Sequence, residues 1–161
     1  MENQDSIVEI WLGRVLRTYP AQSVEFLSGE RDPFRNPVGT AYRRSLAVLL
    51  DEVLHGMDTG RIAGALDELM QIRAIQDLAP SRAVEFLFQL KEVLRLASPG
   101  GEQELFDGRI DRMALGAFDL YMKYRERTFQ AKANEARRRV FVMERRFGAS
   151  GEPAWRERGG S

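Results

Sequence analysis

The chain reads as an all-α protein of about six helices, the last of them long. Three observations predict this. No segment sustains the period-two alternation of a half-buried strand, and no Asn-Gly or Asp-Gly turn joins two β-branched runs. Apolar residues recur instead at helical spacing in five stretches separated by proline, glycine and capping residues. Residues 102–147 contain no proline and only two glycines, Gly108 and Gly116, which reads as one continuous helix. At 1.5 Å per residue it would be roughly 70 Å long, about twice the width of a compact domain of this size, so it must protrude or find a partner.

The first helix is expected to open on a capping box, Ser6 with Glu9, and to bury Ile7, Ile10, Trp11, Leu12, Val15 and Leu16 before Pro20 ends it. A short second helix, 21–27, stops at Ser28-Gly29. An irregular connection with two prolines follows, 30–39. Residues 38–55 form the third helix, with Tyr42, Leu46, Leu49, Leu50, Val53 and Leu54 inward and Gly56 as its stop. Asp58 or Thr59 caps the fourth, which carries Ile62, Leu66, Leu69, Met70, Ile72 and Ile75. Pro80-Ser81 opens the fifth, 80–97, the most apolar of the short helices and hence central, and 98–101 (Ser-Pro-Gly-Gly) breaks the chain before the long helix.

The long helix changes character along its length. Its first half is apolar nearly all round (Met113, Leu115, Phe118, Leu120, Tyr121, Met122, Tyr124), the mark of a helix buried among others. Beyond Arg125, Glu126 and Arg127, Phe129, Ala133, Ala136, Val140, Met143 and Phe147 fall at heptad spacing, a seam fit for a dimer or partner contact, while the other positions carry most of the arginines. The domain organisation expected is a single helical domain over 1–147, with 129–147 as a projecting amphipathic arm, and a flexible tail at 148–161 whose apolar content is too low to order it.

At 161 residues the chain is long enough to bury a core without staples, and the absence of cysteine excludes disulfides, thiolate metal sites and cysteine nucleophiles. The N-terminus lacks the basic and apolar regions of an export signal, and no apolar run is long enough to cross a bilayer, so a cytoplasmic location is expected. Formal net charge is zero, but nine basic and three acidic residues between Lys123 and Arg146 give that stretch +6 against −6 elsewhere. A basic arm on an acidic domain leaves open peripheral contact with an anionic surface. Arg137-Arg138-Arg139 spans nearly a full helical turn with no interleaved aromatics, which argues against nucleic-acid binding.

Catalytic and metal chemistry find little to build on. Glu52-x-x-His55 has the spacing of a dimetal half-site, but such sites need the motif twice and His55 is the only histidine. Beside Gly56 it reads as a helix-end residue facing the dipole. Asp51-Glu52 and Asp67-Glu68 flank apolar stripes and read as solvated faces. No nucleophile elbow, phosphate loop or dinucleotide fingerprint is present. No enzyme activity, cofactor or metal is expected.

A sharper signal lies in two loops, residues 32–39 (DPFRNPVG) and 73–81 (RAIQDLAPS). Pro37 fixes the entry to the third helix, Asn36 can bond backbone donors at its start, and Phe34 is expected to pin the loop to the core. The second loop carries Arg73, Gln76 and Asp77 on the last turn of the fourth helix. In an up-down run of helices three to five, both loops fall at one end, so Asn36, Pro37, Arg73, Gln76 and Asp77 form a candidate interaction cluster.

These loops, with Trp11 and the run 83–88 (AVEFLF), resemble the N-terminal domain of RsbRD-type co-antagonists of RsbT over roughly residues 7–96. The resemblance implies a non-catalytic sensory or regulatory domain of bacterial stress-response signalling. It also implies a haem-free, globin-like fold that dimerises and whose last helix leads to an output domain; an up-down bundle satisfies the same element order. Here only a short tail follows the arm, so a stand-alone homodimeric adaptor with a protein partner in a signalling complex is the expectation. The alternative is a small-molecule or haem-binding globin-like sensor, its pocket lined by Phe86, Phe88, Phe118, Tyr121 and Met122.

Overall fold

The computed structural model describes residues 3–149, and every secondary-structure element among them is helical. The helices are α1 (Gln4–Val15), α2 (Ala21–Gly29), α3 (Pro37–His55), α4 (Thr59–Ile75), α5 (Pro80–Ala97) and α6 (Gln103–Ala149), with one 3-10 turn at Leu16–Thr18. Two units divide the chain, one ending at Arg125 and one beginning at Glu126.

In the first unit α1 lies against α3 and α5, and α3 packs along α4. Trp11 is fully buried: its Nε1–H donates to the Phe86 carbonyl at 2.7 Å and its ring stacks on Phe86 with centroids 5.9 Å apart. One indole thus joins α1 to the central α5 by both apolar area and a satisfied N–H. The first part of α6 contributes Phe106, Ile110, Met113, Ala117 and Tyr121 to the same core. Arg109 donates to the Val53 carbonyl at the end of α3 (2.6 Å), while Lys91 and Arg95 of α5 pair with Asp111 and Asp107, both at 2.6 Å.

Several local expectations need correction. Helix α1 begins at Gln4 and is capped by Asn3, whose side chain accepts from Asp5 N at 3.3 Å. Asn caps as well as Ser and adds three residues of helix, so the Ser6 box is not used and Glu9 pairs instead with Arg43 at 2.8 Å. Of the two caps expected for α4, Asp58 serves, the carboxylate accepting from Arg61 N at 2.9 Å. Ile75, expected inward, is exposed, as are Leu115, Phe118 and Met122 on α6.

Glu52 is not part of a solvated face. It is 2 % exposed, and its Oε2 accepts from the backbone N–H of both Met57 and Asp58, at 2.8 and 2.7 Å, while Oε1 pairs with Arg61. Met57 holds a φ of +106°, a strained conformation for a side-chain-bearing residue, and Glu52 is what fixes that turn between α3 and α4. Asp67 and Glu68 are also engaged, with Tyr124 and with Ser45 and Arg44 respectively.

The second unit is described over 126–149, all of it α6. The expected tail lies, from residue 150 on, outside the described residues.

Candidate functional site

Asn36 caps α3 and is 1 % exposed. Its Oδ1 accepts from Gly39 N at 2.9 Å, and its two Nδ2 hydrogens spread over the carbonyls of Phe26 (3.3 Å), Leu27 (3.0 Å) and Glu30 (3.0 Å). One amide therefore satisfies the start of α3 and the end of α2 together, groups that a helix cannot satisfy internally. Gly39 is required for this: a Cβ there would stand 2.3 Å from Asn36 Nδ2 and 2.4 Å from the Leu27 carbonyl oxygen. Pro37 occupies the first turn of α3, where its missing N–H costs nothing.

Phe34 does not pin the loop. It is 97 % exposed, on a turn closed by Asp32, whose side chain accepts from Phe34 N at 2.9 Å and whose carbonyl accepts from Asn36 N at 2.8 Å. With Asn36 anchoring the segment, the aromatic ring is left outside.

Arg73 is also buried, at 1 % exposure. Nε donates to the Ala83 carbonyl (2.7 Å), Nη2 to the Arg82 carbonyl (3.0 Å) and Nη1 to the Tyr42 hydroxyl (3.3 Å), and the guanidinium lies 5.2 Å from the Phe86 ring centroid. The planar fork ties the end of α4 to the start of α5 and to α3, a pattern only arginine can make. Tyr42 in turn meets Tyr19, with 3.2 Å between hydroxyl oxygens and the rings edge to face. Burial, followed by the neighbouring Tyr42, pushes the Tyr19 hydroxyl far above the usual phenol range, so it stays protonated.

Among the described residues the five predicted positions do not form one hydrogen-bonded network. Asn36 and Arg73 anchor separate ones, Gln76 ends α4, and Asp77 is exposed at φ +55°, pairing with Arg125 at 3.6 Å. The two loops do border one feature. A groove of about 600 Å³ runs between α2, the start of α3 and the end of α4, with Val38 and Gln76 on its walls beside Tyr19, Phe26, Leu27 and Ile72. Sequence reasoning placed Tyr42 inward but missed Tyr19 and their pairing, since an aromatic pair 23 residues apart leaves no periodic signal.

Among the described residues, Phe86, Phe88, Phe118, Tyr121 and Met122 do not line one pocket. Phe86 and Tyr121 are core, Met122 is exposed, and Phe88 and Phe118 line a shallow cleft with Leu115. His55 and Glu52 are committed apart: His55 Nδ1 lies 3.1 Å from Asp51, which with Arg61 holds that carboxyl below its ordinary range.

In the second unit Phe129, Ala133, Ala136, Val140, Met143 and Phe147 are all exposed. Phe141 and Val142 are exposed as well, so from Val140 to Met143 four successive apolar side chains, 49–60 % exposed, cover most of a helical turn. The apolar surface there is a belt more than a seam. Arg145 lies 5.7 Å from the Phe141 ring centroid, and Arg139 pairs with Glu135 at 2.7 Å. No helix among the described residues is long and apolar enough to cross a membrane.

No curated protein and no solved structure matches the chain. A family model does, over residues 5–136, well past the stretch in which the loop motifs lie and into α6. The chain belongs to the family described as the RsbT co-antagonist protein rsbRD N-terminal domain, a family of stress-signalling regulatory domains.

Proposed function

We propose that the protein is a non-catalytic, cytoplasmic regulatory module of bacterial stress signalling that acts as a homodimer and engages a protein partner through α6. Family membership supplies the regulatory context. The observation that carries the contact surface is the belt from Val140 to Met143, apolar on nearly every side and exposed to water in the single chain. At roughly 25 cal/mol per Å² of apolar area buried, covering such side chains contributes several kcal/mol to association. The flanking arginines favour an acidic partner surface and keep the arm soluble.

Sedimentation velocity of the full chain from low to high micromolar concentration tests the dimer. A single monomeric species throughout would overturn it. Truncation after Arg127 separates the roles: the first unit keeps its core side chains and is expected to melt cooperatively, while self-association and partner capture are lost.

A further inference from the structure

The groove beside Tyr19 holds two polar groups whose hydrogen bonds the protein leaves incomplete. Tyr42 is fully buried, accepts from Arg73, and shares one hydrogen bond with Tyr19. Two hydroxyl protons therefore serve one bond. Because Tyr42 is enclosed and already accepts, the favourable arrangement has Tyr42 donating to Tyr19, which leaves the proton of Tyr19, one of the residues lining the groove, free for a ligand acceptor. On another wall, Gln76 Oε1 is closed off from solvent and accepts from no protein donor. An acceptor in that state is costly, and a ligand donor would relieve it.

The rest of the lining is apolar or neutral, and no charged side chain is part of it. The nearest cation of the network, Arg73, is already spent on two carbonyls and Tyr42. An ionised head group would lose its hydration there with no counter-charge in return. At about 600 Å³ the groove falls in the size range of small-molecule sites.

We propose that this groove binds a neutral amphiphile, an apolar chain or ring carrying one hydroxyl or primary amide, whose head accepts from the Tyr19 hydroxyl and donates to Gln76 Oε1. The apolar body lies on Phe26, Leu27, Val38 and Ile72. The Gln76 amide reaches the head by turning about χ3, a broad torsion with little barrier. Exposed Ile75 at the rim is positioned to close over the apolar end. Binding would brace the end of α4 against α2 and α3.

The test uses the full chain with 1-octanol, octanamide and octanoate, read by calorimetry and by backbone amide NMR. Octanol and octanamide should give saturable shifts centred on Tyr19, Val38 and Gln76, and octanoate, of equal chain length, should bind at least about tenfold more weakly. Tyr19→Phe keeps the ring against Tyr42 and should weaken octanol roughly fivefold, the worth of one hydrogen bond, while lowering the melting temperature by roughly a few degrees because the buried Tyr42 hydroxyl loses its acceptor. Gln76→Met keeps side-chain length without the acceptor and should show a similar loss, which secures the test should Tyr19→Phe fold poorly. Octanoate binding as tightly as octanol, shifts centred outside the groove, absence of saturable binding, or undiminished octanol affinity in these variants would overturn the assignment. The readout involves no partner protein and no oligomer, so its outcome is separate from that of the dimer.

Discussion

Replacing Asn36 by alanine removes four hydrogen bonds at once while deleting only a few atoms. Loss of the cap on Gly39 N costs about 1 kcal/mol. The Leu27 carbonyl, whose bond to Asn36 is buried, then stands without that donor, a further cost of about 1–3 kcal/mol; the Phe26 and Glu30 carbonyls are nearer to water and add less. The sum is about 3 kcal/mol, which for a domain of this size lowers the melting temperature by about 6–12 °C. Asn36→Asp discriminates the reasons. Aspartate caps helices as well as asparagine, so if capping were the whole role the variant would match the wild type. In the structure its carboxylate would face three carbonyl oxygens in a closed site, so it should cost more than alanine at neutral pH. Burial raises that carboxyl in the folded state, so the penalty should grow as pH rises through and above the ordinary carboxylate range. Urea denaturation of both variants at several pH values measures this. An Asn36→Asp protein with wild-type stability at pH 7 would refute the claim that Asn36 stitches α2 to α3.

Three further outcomes are expected. Arg73→Lys should lose about 2–4 kcal/mol in urea titration, because one ammonium cannot reach the Ala83, Arg82 and Tyr42 oxygens that the fork spans, and a loss below 1 kcal/mol would contradict the bracing role. Asp51 is held below the ordinary aspartate value of 3.8 by the hydrogen bond from His55 and then by Arg61; its stabilising share is complete above that value and fades as pH falls through the lowered folded one. Asp51→Asn should accordingly flatten acid unfolding in that window, and an unchanged acid limb would count against it. Phe129→Asp combined with Val140→Asp should convert a dimer to monomer in light scattering with the melting temperature of the first unit held, since both residues are exposed in the single chain.

The helices were legible because each carries its own punctuation. Asp58, Pro37, Pro80 and Gly56 mark boundaries by local chemistry, and the apolar period did the rest. Errors arose where a decision depended on a distant partner. Ser6 and Asn3 are both competent caps, and which one serves depends on how far α1 can extend. Glu52 reads as surface beside Asp51, yet the turn at Met57 folds two backbone donors onto it. Phe34 reads as an anchor because it is aromatic, but Asn36 had already supplied the anchoring. Phe141 and Val142 fall outside a heptad template, which assigns apolar residues to one stripe only.

The two loop motifs concentrate polar residues near helix ends. Helix ends expose carbonyls and N–H groups that must find partners, and a groove walled by two such ends, those of α2 and α4, is open unless something buried covers them. Asn36 does this for α2 and Arg73 for the α4–α5 junction, each below 2 % exposure and therefore out of reach of any partner. Their residue types are dictated by what they brace: an amide that donates and accepts at once, and a guanidinium that spans three oxygens in a plane. The groove that this bracing borders takes Val38, Ile75 and Gln76 from the two motifs and Tyr19, Phe26, Leu27 and Ile72 from outside them.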